Sequence, residues 1–206
     1  MGTTTTRPIL LASSSRYRRT LLDKVGLQFS SASPDIDETP LAGESAPQLV
    51  ARLAASKAQA LTSQYPEHII IGSDQVAALA NDDGSSQILG KPGNYANAVR
   101  QLGACAGRRV VFYTGLSVLS AADDTQDTMI SEFEVKFRDL SLQEIEGYIK
   151  KEEPFDCAGS FKSEGLGITL FEYLRGDDPN SLIGLPLIAL LRILRQQYAI
   201  NPLTTA

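Results

Sequence analysis

The residues best suited to chemistry in this chain are carboxylates, lysines and hydroxyls placed where apolar runs break. In Ile69-Ile70-Ile71-Gly72-Ser73-Asp74-Gln75-Val76 a β-branched run stops at a glycine and delivers a hydroxyl, a carboxylate and an amide. Three consecutive isoleucines fit a strand buried on both faces, as in the parallel part of an α/β sheet. Ligands of open α/β sheets bind outside the carboxyl ends of the strands. The expectation is therefore a strand over Ile69 to Val76 whose tip puts Asp74 at the mouth of a cleft, next to a glycine that lets backbone or ligand come close. The other reading is turn capping by Ser73 and Asp74, both of which favour turns.

Three further groups have chemical potential. Ser13-Ser14-Ser15 leads into a helix over Arg16 to Val25, closed by Gly26. Helix N-termini present unpaired N–H groups and partial positive charge, so Ser13, Ser15, Arg18 and Arg19 make a phosphate seat, although Ser15 serves equally well as a plain N-cap. It is not a P-loop, whose glycines and Gly-Lys-Ser/Thr ending are absent. Pro34-Asp35-Ile36-Asp37-Glu38-Thr39-Pro40 carries three carboxylates between two prolines. Crowded like charges repel, which a hard cation such as Mg²⁺ relieves, whereas an exposed acidic loop needs no counter-ion. Lys57 falls on the apolar line Leu49, Val50, Leu53, Ala54, Leu61 of a helix running from a Ser45–Gln48 capping box to about Gln64. It either snorkels to water or needs an anionic partner.

Positioning these groups requires alternating strands and helices. A short strand over Pro8 to Ala12 and a second over Leu27 to Ala32 precede the central one. Ala77 to Ala80 turns at residues 81–86 and returns through Ile88 and Leu89, a hairpin that brings Lys91 of Gly90-Lys91-Pro92 back towards Asp74. A helix from Tyr95 to Leu102 follows, then a strand over 110–119 bent at Gly115 and a polar turn over 120–128. Phe133, Val135 and Phe137 alternate with Glu132, Glu134, Lys136 and Arg138, as in a half-exposed antiparallel strand. A Ser141–Glu144 capping box opens a helix to about Lys151, and Pro186 opens an apolar helix to about Tyr198. Between them, Asp156 to Gly167 gathers three glycines, two serines, Lys162 and Glu164, a composition suited to a binding loop. The fold class is α/β: a mixed, largely buried sheet with flanking helices, in one domain over 1–206 with residues 1–7 as a disordered tail.

Composition narrows the partners. A net charge of −5 disfavours nucleic acid and membranes, both polyanionic, so an anionic ligand needs local cations or a metal. Cys105 and Cys157 lack metal-ligand spacing and form no disulfide framework, which with no signal pattern suggests a reducing, cytoplasmic setting. The longest apolar stretch, Leu182 to Leu191, is too short to span a bilayer and is broken by Gly184 and Pro186. Met1-Gly2 formally matches a myristoylation pattern, but the threonines that follow read as a floppy tail. His68 reads as ordinary surface.

Leu11-Ala12-Ser13-Ser14-Ser15-Arg16-Tyr17-Arg18-Arg19, Asp37-Glu38, Lys57, Gly72-Ser73-Asp74-Gln75, Gly90-Lys91-Pro92 and Gly159 to Gly167, in this order from Ile9 to Leu203, resemble the Maf family of nucleotide pyrophosphatases. Asp-Gln at 74–75, Tyr17 and the Ser-Glu-Gly loop look like its 7-methyl-GTP pyrophosphatase subfamily rather than the dTTP/UTP-hydrolysing one, which typically has Asp-Thr. Arg16 departs from the family's usual proline. The resemblance implies a fold similar to inosine-triphosphate pyrophosphatases, with two lobes around a deep cleft and often a homodimer. It also implies hydrolysis between the α- and β-phosphates of a nucleoside triphosphate with Mg²⁺ or Mn²⁺. Glu38 and Asp74 would hold the metal, and Asp74, Glu38, Lys57 and Lys91 would be catalytic. Ser13, Ser15 and Arg18 would bind phosphate. Tyr17, Gln75 and Glu164 would read the base. Pyrophosphatases for other canonical or modified nucleotides, and a non-catalytic nucleotide-binding regulator, are the alternatives.

Overall fold

The computed structural model describes residues 7–80 and 86–204. The tail and myristoylation readings at residues 1–6, and most of the hairpin tip, lie outside these. In chain order the elements are β1 (Ile9–Ala12), α1 (Arg16–Lys24), β2 (Ser30–Ala32), α2 (Ala46–Gln59), β3 (Ile69–Ala80), β4 (Ser86–Leu89), α3 (Tyr95–Cys105), β5 (Arg109–Ser120), β6 (Thr125–Phe137), α4 (Leu142–Glu152), β7 (Phe171–Gly176), α5 (Pro179–Ile183) and α6 (Leu187–Tyr198). The strands form one sheet in the order β2-β1-β3-β5-β6-β7, with β4 also paired to β3. β1 runs parallel to β2 and β3, while β3–β4 and β6–β7 are antiparallel, so the sheet is mixed as the alternation in β6 requires.

The chain divides into two compact units. The first comprises the chain up to Asp74, Thr114–Ser131 and the segment from Gly184 onward. Here α2 buries Leu49, Val50, Leu53, Ala54 and Ala58. It lies directly on two strands: a Cβ added at Gly72 would collide with the carbonyl oxygen of Ala54, and one at Gly115 with that of Val50. These glycines are the flat ground on which helix backbone meets sheet. Leu10, Ala12, Ala58, Leu61, Ile70 and Leu119 cluster around this contact.

The second unit comprises Gln75–Tyr113 and Glu132–Ile183. Its core unites Ala77, Leu79, Leu102, Phe112, Val135 and Ile149 among others. Phe161 meets Phe112, Phe137 and Phe171 edge to face, with ring centroids 4.9–5.7 Å apart. That geometry suits the ring quadrupoles and pins the Asp156–Gly167 loop to the core. Cys105 is buried here and its thiol is pushed up to about 12 by that burial. Both cysteines are free.

Several boundaries differ from the sequence reading. The central strand does not stop at Val76 but runs on to Ala80, so Asp74 lies within it rather than at its tip, and Gly72 makes room for the α2 backbone. Gly115 likewise receives the α2 backbone and lies within an unbroken β5. β2 is only three residues long, α2 stops at Gln59, and β6 begins at Thr125, inside the expected polar turn. β7 was not anticipated: Phe-Glu-Tyr-Leu-Arg-Gly lies at a sheet edge, where alternation is weakly enforced, and it registers against β6 with an irregularity at Lys136/Phe137. His68 is half-buried and meets Tyr65 edge to face. Among the described residues no helix is long and apolar enough to cross a membrane.

Candidate active site

The first unit brings six of the expected residues together. α2 rests on Gly72, and this contact carries Lys57, one position before Ala58, to the strand residue two places beyond that glycine. The Lys57 ammonium donates to Asp74 Oδ1 at 2.6 Å and also lies 2.8 Å from Glu38 Oε1. Lys57 and Asp74 are 6% and 8% exposed, so the lysine does not snorkel; it has found the anionic partner its place on the apolar face demands. Of the acidic loop only Glu38 reaches this ammonium. Asp37 accepts from the backbone N–H of Thr39 at 2.9 Å, and Thr39, through hydroxyl and N–H, holds the Asp37 carboxyl below the usual range. The loop is fastened by Arg52, which forks onto Glu44 at 2.6 and 2.8 Å and donates to the carbonyl of Thr39 at 3.1 Å.

The serine turn is tied to these carboxylates through Arg18, which feels the charges of both. Ser15 caps α1, its Oγ accepting from Arg18 N at 3.4 Å. Ser13 Oγ accepts from Ser15 N at 3.1 Å and from Arg18 Nη1 at 3.2 Å. Because both hydroxyls act as acceptors in these bonds, each keeps its own O–H for an incoming anion. Capping and phosphate binding are thus compatible for Ser15. Arg18 Nε donates to the carbonyl of Gly184 at 2.8 Å, which anchors one edge of the guanidinium. Burial lowers the Arg18 pKa, and the charges of Asp74 and Glu38 act to raise it, so the guanidinium stays charged beside both.

Sequence reasoning missed the supports of this arrangement. Ser73, fully buried, donates to the Gly184 carbonyl at 2.9 Å, so this one oxygen orients both the Ser73 hydroxyl and Arg18. Gly184 adopts φ +116°, a conformation side chains disfavour, and a Cβ there would touch Arg18. The only signal for it was a glycine interrupting an apolar run. Nothing in the local pattern around Arg52 pointed to Glu44.

Tyr17 also belongs to the first unit. Arg16 Nη2 donates to its hydroxyl at 2.8 Å, and the guanidinium carbon lies 4.9 Å from the ring centroid. Arg16 takes the first helical position, where proline is favoured, and Ser15 still caps the helix there. The remaining expected residues, Lys91, Gln75 and Glu164, lie in the second unit. Lys91 is exposed, two positions beyond the Ala77–Leu89 pair that ends the β3–β4 ladder. Gln75 Nε2 donates to the carbonyls of Ser181 at 2.6 Å and Leu182 at 3.3 Å, which ties the amide to α5. Glu164 is exposed on a loop braced by Tyr148 Oη, which accepts from Lys162 N at 2.9 Å, and by Glu152 Oε1, which accepts from Leu166 N at 2.8 Å.

A divalent cation fits the chemistry of the first-unit cluster in one specific way. Among the described residues no three His, Cys, Asp or Glu side chains converge as a cage. Two carboxylates, Glu38 and Asp74, already share one cation in the Lys57 ammonium. Mg²⁺ bound through one or two carboxylates, with water and substrate phosphates completing the shell, is the usual pattern at phosphate-handling sites.

Residues 8–197 match the family model described as Maf-like protein. Over 200 residues, 96% of this chain and 98% of the relative, the sequence is 54% identical to a protein of Idiomarina loihiensis named 7-methyl-GTP pyrophosphatase. A family match over nearly the whole chain and a relative 54% identical over 96% of it lead to one conclusion: this chain belongs to the Maf-like protein family.

Proposed function

We propose that the chain is a nucleoside triphosphate pyrophosphatase that hydrolyses 7-methyl-GTP to 7-methyl-GMP and pyrophosphate. The observation that carries this reading is the Glu38–Lys57–Asp74 cluster beside Ser13 and Arg18, a site with both the carboxylates and the donors that a triphosphate and its counter-ion require. The 54% identical relative bearing that activity in its name supports the substrate.

Phosphoryl transfer is mostly positioning and charge neutralisation. The free O–H groups of Ser13 and Ser15 and the outer N–H groups of Arg18 bind non-bridging phosphate oxygens. Asp74 orients the attacking water and accepts its proton. The water oxygen forms a new P–O bond as the α–β anhydride bond breaks, and the proton passes from Asp74 to solvent. Glu38 and Asp74 would hold a Mg²⁺ or Mn²⁺, which when bound would supply Lewis-acid stabilisation of charge on the phosphates. Lys57 and Lys91 add positive charge. For the base, Tyr17 stacks on the cationic 7-methylguanine, a contact of roughly 1–3 kcal/mol. Glu164 accepts from the guanine N1–H and amino group as a charge-assisted pair, and Gln75 reads a further edge.

The test is hydrolysis over a panel of 7-methyl-GTP, GTP, dTTP and UTP with and without Mg²⁺, with pyrophosphate identified as product. The expected result is metal-dependent turnover highest on 7-methyl-GTP. Preference for dTTP or UTP would overturn the substrate, and nucleotide binding without turnover would overturn the enzyme.

A further inference from the structure

The most unusual feature of the cluster is that the carboxylates suited to a metal already hold a cation. Lys57 Nζ lies 2.6 Å from Asp74 and 2.8 Å from Glu38, and its side chain is 8% exposed. With Arg18 alongside, two negative charges face two positive ones, so the group is balanced as it stands. Lys57 cannot simply move into water, since it projects from the inner face of α2, whose backbone is seated on Gly72 and Gly115. A lone dication entering here would add two uncompensated positive charges within a few ångströms of a buried ammonium, where Coulomb repulsion is weakly screened.

We propose that Lys57 is a place-holder for the divalent cation: in the nucleotide-free protein its ammonium keeps the metal off Glu38 and Asp74, so metal and triphosphate enter together. The inference rests on the pyrophosphatase reading above. A phosphate group arriving with the metal offers Lys57 a new anionic partner. The lysine then leaves the carboxylates for the phosphates, and the charge of the cluster stays close to balanced throughout. Lys57 is thereby a determinant of binding order as well as a phosphate contact.

The proposal is tested by titrating the full chain with Mn²⁺ in the absence of nucleotide and reading free Mn²⁺ by electron paramagnetic resonance. Lys57→Met should bind Mn²⁺ at least roughly tenfold more tightly than wild type, a modest fraction of the Coulomb interaction removed. Lys57→Arg should stay as weak as wild type. Adding a non-hydrolysable α,β-methylene triphosphate should close the gap between wild type and Lys57→Met. Equal or weaker Mn²⁺ binding by a folded Lys57→Met overturns the idea. Since that variant strips Asp74 of its partner, the wild type provides a second measurement: the nitrogen NMR signal of the Lys57 ammonium should stay in place with millimolar Mg²⁺ alone and shift once the triphosphate analogue is added. A shift with Mg²⁺ alone overturns the proposal as well. Loss of pyrophosphate release in wild type, by contrast, would overturn the enzymatic reading and leave the Mn²⁺ contrast standing.

Discussion

Asp74 keeps one carboxylate oxygen on Lys57 at 2.6 Å and is 8% exposed, so its chemistry depends on a charge that water does not stabilise. Replacing it with asparagine preserves size and one acceptor oxygen while removing the proton acceptor and half of the shared cation site. Asp74→Asn should therefore lower kcat by about 10²–10⁴-fold, the usual worth of a positioned general base, with nucleotide affinity kept within a few-fold. Stopped assays of pyrophosphate release beside equilibrium binding of 7-methyl-GTP separate the two; retained kcat would remove Asp74 from the chemistry. At this scale the sequence was informative wherever a residue broke its local pattern. Lys57 stood out on an apolar helical line and proved to be paired, and a carboxylate after three isoleucines proved to be buried. The bond between Ser73 and Gly184 was not legible, since a hydroxyl donating to a carbonyl more than a hundred residues away leaves no local trace.

The position of Lys57 is set by α2, and α2 is set by two glycines. Gly72→Ala would push a methyl group into the carbonyl of Ala54 and the backbone N–H of Ala58, neither of which can yield without moving the helix. The expected cost is about 1–3 kcal/mol for overpacking. Because the displaced segment carries Lys57, turnover should fall further than stability alone accounts for. Gly43→Ala is the control, since its Cβ meets nothing within 4 Å, although its φ of +77° brings a strain of its own. Thermal melts and kcat measured on both variants decide this: a Gly72→Ala protein that keeps full kcat would show that α2 does not position the site. The caps and periodicities of α1, α2, α4 and α6 made these helices legible beforehand. Close approach at Gly72 was legible, but that the approaching backbone is α2, and that Gly115 admits the same helix, was not, because a glycine in a strand does not say which segment it makes room for. β7 escaped notice because an edge strand satisfies only one ladder and needs little patterning.

Across the molecule, the division of the chain falls between Asp74 and Gln75, so neighbouring residues of one strand belong to different compact units. Each unit also carries its own arginine–glutamate clamp at a loop or helix start. In the first, hydrogen bonds from Arg52, joined by the Leu41 N–H, hold Glu44 down to about 2 from an ordinary 4.5. In the second, the Ser141 backbone N–H, then Arg138 and the Ser141 hydroxyl, bring Glu144 to about 2 from the same starting value. A carboxyl whose folded value is depressed binds fewer protons folded than unfolded, so its stabilisation is complete above the unfolded value and is lost as pH falls. For both clamps that window runs from 4.5 down to about 2. The melting temperature should accordingly drop across this range in wild type. Glu44→Gln and Glu144→Gln should each melt lower at neutral pH yet show a shallower acid slope, with the double variant shallower still. If calorimetry finds the acid slope unchanged in the double variant, these clamps are not what couples folding to protons, and the acid sensitivity of the fold must lie with other carboxylates, of which the depressed Asp37 and Asp123 are the next to substitute.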